Sequence, residues 1–156
     1  MELFLSTFVN KVDRKGRVSV PATFRAAVAD QSFPGIVVFP SFKYDALDAS
    51  GIKRMEEMSA RQNTIDEFSD EHENLGILFA DAQALPFDPE GRIILPGNLA
   101  EHAHITENAA FVGLGKSFQI WEPTRFAKHQ AMLRERALRQ GTRLPPLGGS
   151  RERRSE

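Results

Sequence analysis

A chain of 156 residues, 41% hydrophobic and 26% charged, can build one good core or two small ones, and its formal net charge of −1 excludes a uniformly basic surface. Without cysteine it can form neither disulfides nor a cysteine nucleophile, and no run approaches 18 consecutive apolar residues, which excludes a membrane-spanning helix. With no basic region followed by a long apolar run at its N-terminus, the chain is expected in the cytoplasm.

Residues 2–12 are rich in aromatic and β-branched side chains and predict a strand. It leads into Asp13-Arg14-Lys15-Gly16, where Asp13 can accept from backbone N–H groups two or three residues on and Gly16 supplies the positive φ of a tight reversal. Arg17 to Val20 then alternates, with Val18 and Val20 toward a core and Arg17 and Ser19 away from it. Pro21 ends that strand and opens a short helix, Ala22 to Ala29, with Phe24 and Val28 on one face. Residues 30–35 read as a loop and Ile36 to Phe39 as a buried strand. Residues 46–62 favour helix, striped by Leu47, Ile52, Met55 and Met58, and Thr64 or Asp66 is expected to cap a connecting helix running to about Phe79. Its acids, Asp66, Glu67, Asp70, Glu71 and Glu73, lack any histidine or glycine pattern and read as a solvated face rather than a metal site.

From Asp81 the pattern of the first strands begins again. Asp13, Gly16, Arg17 and Pro21 recur as Asp88, Gly91, Arg92 and Pro96, each 75 positions on, so a second strand, turn, strand and short helix (Asn98 to Ala103) are expected. Val37 matches Val112 at the same offset; beyond Pro40 the copies diverge, Phe42 meeting Phe118 only at an offset of 76 and Trp121-Glu122 having no counterpart. His102 and His104, two apart, do not share a helix face and predict no metal site. Gly115-Lys116-Ser117 resembles the end of a phosphate loop, but alanine stands at 110 where that pattern needs glycine, so a hairpin turn leading to a strand Phe118 to Trp121 is expected. Pro123 opens a last helix to about Arg139, and residues 140–156, rich in Gly, Pro, Ser and Arg, are expected to be disordered.

The small net charge conceals a segregation along the chain. Residues 10–25 carry +4 (Lys11, Arg14, Lys15, Arg17 and Arg25 against Asp13), whereas the matching stretch 85–101 carries −2; residues 48–73 carry −5 and 125–156 carry +6. A unit of about 40 residues cannot bury enough surface to stand alone, so two copies suggest strands pairing across a pseudo-twofold axis into one α+β barrel with short helices around it. One Asp-x-x-Gly turn by itself is only a good turn.

The doubled motif, Val12-Asp-Arg-Lys-Gly-Arg-Val-Ser-Val-Pro-Ala-Thr-Phe-Arg25 with Asp88-Pro-Glu-Gly-Arg-Ile-Ile-Leu-Pro96, resembles the MraZ transcriptional regulators of the SpoVT/AbrB-like family over about residues 4–135. The resemblance implies a barrel of two AbrB-like, swapped-hairpin halves, covering 4–62 and 81–139, with residues 63–80 as the connecting helix and 140–156 as a basic tail. It also implies a ring-shaped homo-oligomer, associated with the nucleoid, that binds repeated double-stranded promoter sites ahead of the division and cell-wall gene cluster. The family's DNA-contacting positions map onto Lys15 and Arg17. Charge and position add Lys11 and Arg14, while Asp13, Gly16, Asp88, Gly91 and Arg92 hold the two turns in shape. In the second copy Pro89 and Glu90 replace Arg14 and Lys15, so the first copy is expected to face DNA and the second to serve folding or subunit contacts.

No nucleophile elbow, complete phosphate loop or spaced ligand set supports an enzyme, and no cofactor or metal is expected. DNA binding fits better, since a hairpin bearing Lys11, Arg14, Lys15 and Arg17 can set arginines against phosphates and guanine edges. The rival reading is an oligomeric scaffold whose basic turn meets an acidic protein. A solvated basic turn without a partner is the plain alternative to both.

Overall fold

The computed structural model describes residues 2–141 and 143–146. In chain order the elements are β1 (Thr7–Lys11), β2 (Arg17–Ser19), α1 (Ala22–Ala27), β3 (Gly35–Pro40), β4 (Leu47–Ser50), α2 (Ile52–Gln62), α3 (Asp70–Asp81), β5 (Gln83–Pro86), β6 (Arg92–Ile94), α4 (Gly97–His102), β7 (Asn108–Gly113), β8 (Phe118–Trp121) and α5 (Pro123–Gln140). The chain divides into one unit reaching to Phe126 and a second from Ala127 onward. In the second unit the helix of α5 continues to Gln140, and Gly141, at φ +62°, turns its N–H back to the Leu138 carbonyl at 3.4 Å. The expected disordered tail lies, beyond its first residues, outside the described residues.

Everything before Ala127 is mixed α+β, and all of its strand pairs are antiparallel. Six strands make one sheet in the order β1-β7-β8-β4-β3-β5, and β2 pairs with β6 in a separate two-stranded ribbon. The series β1-β2-α1-β3-β4-α2 repeats as β5-β6-α4-β7-β8-α5, with α3 between. Exchanging corresponding strands leaves the sheet order unchanged. Each copy's first strand pairs with the other copy's third, β1 with β7 and β5 with β3, so neither copy forms its sheet alone.

The ladder corrects three expectations. Among the described residues the strands do not close into a barrel: β1 and β5 remain edges, and the ribbon is joined to the β1 segment by the isolated Val12–Val18 bridge rather than by a ladder. Strands β2 and β6 offer three ladder residues each, between an aspartate turn and a proline, enough to pair with one another but too short to carry the ladder further. Second, residues 47–50 are strand rather than helix. Leu47 and Ala49 alternate into the core, and the strand sits between β3 and β8, where tertiary pairing outweighs local propensity. It is the first copy's counterpart of β8, with Ser50 at the position of Trp121. Third, the partner of Val37 is Ala110, not Val112, because Val37–Ala84 and Ala110–Val9 are the equivalent pairs. The segment before β7 is two residues shorter than that before β3, and the hairpin loop before β8 is two shorter again, so the offset falls from 75 to 73 to 71. Phe42, 65% exposed in the β3–β4 loop, is no match for fully buried Phe118.

The connecting helix starts at Asp70 rather than near 63. Ser69 caps it, accepting from the His72 N–H at 3.1 Å; Asp66 instead closes a turn onto the Phe68 N–H and the Thr64 hydroxyl donates to the Arg61 carbonyl. Asp70, Glu71 and Glu73 stand in its first turn, where the helix dipole favours carboxylates, while Asp66 and Glu67 precede the helix.

One core draws on both copies: Val18, Val20, Phe24, Val28, Ile36, Val38 and Leu47 from the first, Leu85, Ile93, Leu95, Leu99, Phe111, Phe118 and Ile120 from the second. Phe24, fully buried, is ringed by Phe118 at 4.9 Å, Phe4 at 5.2 Å, Phe8 at 5.7 Å and Phe111 at 6.4 Å between centroids. On the sheet's other face Val37 packs with Met55 of α2 and Leu78 of α3, and Trp121 packs with Tyr44 and Phe126. At the middle of β4 Asp48 accepts from the Gln119 side chain at 3.0 Å, and burial pushes its carboxyl above the usual range against that bond.

Candidate nucleic-acid interface

Both aspartate turns have one design, built from the backbone outward. The Asp13 N–H donates to the Arg17 carbonyl at 2.9 Å, the Gly16 N–H donates to the Asp13 carbonyl at 3.0 Å, and Gly16 sits at φ +82°. Asp13 Oδ1 accepts the N–H groups of Lys15 at 2.9 Å and Arg17 at 2.8 Å, two and four residues on, and Oδ2 accepts Arg17 Nε at 2.7 Å. The second turn repeats this: Asp88 takes the N–H groups of Glu90 and Arg92 at 2.9 Å and Arg92 Nε at 2.8 Å, with Gly91 at φ +78°. In each turn the arginine's own N–H contributes most to holding the aspartate below the usual carboxylate range, followed by the guanidinium bond and then the N–H two residues on, against some desolvation. Ordinary side chains pay the left-handed strain that both glycines avoid.

The ribbon brings the turns together. The Leu95 N–H donates to the Gly16 carbonyl at 2.8 Å and the Val20 N–H to the Gly91 carbonyl at 3.1 Å, so each turn is stitched to the other copy's strand. Val18 lies opposite Ile93, each 1% exposed, on the inner face. The alternate positions, Arg17 opposite Ile94 and Ser19 opposite Arg92, therefore share the outer face. Asn10 of β1 fastens its edge by donating to the Ser19 carbonyl at 2.7 Å.

On this frame the predicted site residues take distinct places. Lys11, Arg14 and Lys15 are exposed and form no ion pair among the described residues; Arg17 is half-buried, its Nε given to Asp13. Arg92 is held more tightly, by Asp88 and also by Glu90, which meets its Nη2 at 3.2 Å. Two features had no signal in residue spacing. Arg25, at the end of α1, donates from Nε to the Val20 carbonyl at 3.1 Å and lies over Gly91, where an added Cβ would fall 2.6 Å from Nε. Its counterpart 75 residues on is Ala100, and at Gly16 the side chain nearest an added Cβ is Ile94, 3.8 Å away. The second turn is thus covered by a cationic side chain, whereas the first is met there by the Leu95 carbonyl, 3.0 Å from an added Cβ, and flanked by Ile94.

The other motifs resolve as parts of the scaffold. His102 Nε2 lies 3.3 Å from the Tyr44 carbonyl and His104 Nε2 lies 3.4 Å from Asp45, so the histidines meet neighbouring residues of the β3–β4 loop. Gly115, at φ +93°, closes the β7–β8 hairpin and exchanges backbone hydrogen bonds with Phe4. No helix among the described residues is long and apolar enough to cross a membrane, and none of their histidines and carboxylates group as a cation cage.

An antiparallel α+β protein that joins two copies of a strand, turn, strand and helix motif through a two-stranded ribbon, with exposed cations in and just before the first of its two turns, is a duplicated strand-exchanged scaffold presenting a basic turn. A family model described as "MraZ protein, putative antitoxin-like" matches residues 78–143. Three proteins called Transcriptional regulator MraZ, from Rickettsia akari (strain Hartford), Rickettsia canadensis (strain McKiel) and Rickettsia felis (strain ATCC VR-1525 / URRWXCal2), are each 43% identical over 130 residues, covering 83% of this chain and 87% of the relative. The chain belongs to the MraZ family.

Proposed function

We propose that the protein is a sequence-specific DNA-binding transcriptional regulator that reads promoter repeats of the division and cell-wall gene cluster through Lys11, Arg14, Lys15 and Arg17 of its first turn. The observation that carries this reading is the first turn, where exposed Arg14 and Lys15, without ion pairs among the described residues, precede an arginine held by Asp13, and exposed Lys11 ends the strand that leads into it. A two-stranded ribbon is narrow enough for the major groove of B-DNA, and a turn at its end can set cations against the flanking phosphates. The second turn, with Glu90 on Arg92 and Arg25 over Gly91, serves the scaffold. Its pairing with the first copy supports two AbrB-like units, 4–62 and 81–139, as one fold, acting in the cytoplasm at the nucleoid.

One turn offers few phosphate contacts, each of modest and salt-sensitive value. A ring-shaped homo-oligomer would present several at once and raise avidity by about 10²–10⁴ on suitably spaced repeats. Exposed Leu3, Leu5, Leu114 and Phe68 supply apolar surface for such self-association. The test is a gel-shift titration of wild type and Arg17→Ala on DNA from upstream of that gene cluster, with scrambled DNA as competitor and oligomer size measured by light scattering. Wild type is expected to shift the intact repeats with a steep salt slope, and Arg17→Ala to lose the specific shift at unchanged oligomer size. Failure of wild type to bind sinks the DNA reading and turns the search toward an acidic protein partner; loss of fold in the variant removes Arg17 from the role of reader.

A further inference from the structure

The outer face of the ribbon carries one side chain that a purely electrostatic surface would not need. Ile94 is 62% exposed, while the other apolar members of β2 and β6, Val18 and Ile93, are 1% exposed on the inner face. It stands directly opposite Arg17 in the antiparallel register, so the two side chains leave the ribbon on the same face. It also flanks the first turn, since a Cβ at Gly16 would lie 3.8 Å from Ile94 Cγ2. The position 75 residues earlier is Ser19, opposite Arg92. The aliphatic side chain therefore accompanies the basic turn, and the hydroxyl accompanies the acidic one.

Resting on the DNA reading above, we propose that Ile94 is a specificity-determining residue that packs against the C5-methyl of a thymine next to the nucleotide contacted by Arg17. In the major groove the thymine methyl is the apolar mark among hydrogen-bonding edges, and a β-branched aliphatic group beside a guanidinium gains by covering it. The recognition surface is then composite. The first copy supplies charge and the second supplies the apolar contact, which gives the acidic copy a part in reading sequence although its own turn is covered.

The test compares the promoter duplex of the preceding titration with the same duplex carrying deoxyuridine for every thymine, which deletes only the methyl groups. Wild type is expected to bind the deoxyuridine duplex about three- to fivefold more weakly, the order set by one buried methyl group. Ile94→Ala and Ile94→Thr should bind thymine DNA more weakly and distinguish the two duplexes less than wild type does, Ile94→Thr keeping more of the preference through its remaining γ-methyl; circular dichroism and oligomer size check that both fold. Threonine keeps the branched shape and strand propensity, so a strand defect would appear in Ile94→Ala and spare Ile94→Thr. Equal wild-type affinity for both duplexes, or an unchanged thymine preference in the variants, overturns the role of Ile94 while leaving the DNA reading intact. Absence of wild-type binding to either duplex overturns both.

Discussion

The two aspartate turns share a backbone and differ in everything placed on it. Each aspartate takes two N–H groups and one guanidinium nitrogen, and each glycine lies near φ +80°. The first adds Arg14 and Lys15, exposed and without ion pairs among the described residues; the second adds Pro89 and Glu90, pairs its arginine with Glu90 as well as Asp88, and lies under Arg25. Duplication thus preserves the hydrogen bonds that build a turn while leaving exposed positions to diverge, because turn geometry constrains the aspartate, glycine and arginine and leaves the residues between them to solvent.

The sharpest way to break this contrast is to exchange the exposed residues. Arg14→Pro with Lys15→Glu gives the first turn the composition of the second, and should weaken binding to the promoter duplex by about 10²–10³-fold near 0.1 M salt while lowering the salt slope by about two. Fluorescence anisotropy across a salt series measures both. Unchanged binding would mean that the first turn holds no advantage over the second.

A smaller difference should appear in stability. Gly16→Ala and Gly91→Ala each force a left-handed residue and should cost about 1–2 kcal/mol. Gly91→Ala should cost about 1 kcal/mol more, because the new Cβ displaces Arg25 from its bond to the Val20 carbonyl. Urea midpoints give the comparison, and in an Arg25→Ala background the two variants should become equal. A persisting gap there would assign the asymmetry to something other than Arg25.

The smallest effect is titration. Asp13 and Asp88 both have carboxyls held below 3.8, so the stability they contribute is fully present above the ordinary carboxylate range and is lost as pH falls through their lowered values. Melting temperatures of Asp13→Asn and Asp88→Asn should lie below that of wild type by similar amounts near neutral pH, and the gap should close as pH falls through the lowered values, each variant showing a shallower acid dependence. Carboxyl shifts followed by NMR should show the two aspartates titrating alike, since the features that separate the turns leave these bonds untouched. Widely different midpoints would show that the charges around the turns reach into the shared frame.

Legibility in the sequence followed how local each cause was. The turn residues, the alternation of Val18 and Val20, and the proline stops were readable because their partners lie within a few positions. The strand at 47–50 was not. Its leucine and alanine carry helical propensity, and the ladder between β3 and β8 holds them extended. The shift of Val37 from Val112 to Ala110 was equally hidden, since the two-residue shortening that causes it falls in the loop before β7, where composition carries no register. Ser69 displaced Thr64 and Asp66 as helix cap because all three can accept from a backbone N–H, and chain geometry selects among them.

By itself the sequence determined two copies of one motif, a basic first turn and an altered second one, since these are matters of residue identity and short-range hydrogen bonding. Only the tertiary structure decided that the first strand of each copy pairs with the third of the other, that the ladder stays open beside a separate ribbon, and that Arg25 and Ile94 differentiate the two ends of that ribbon. Those are contacts between residues about 45 to 105 positions apart, and burial of a common core, rather than any local preference, chooses them.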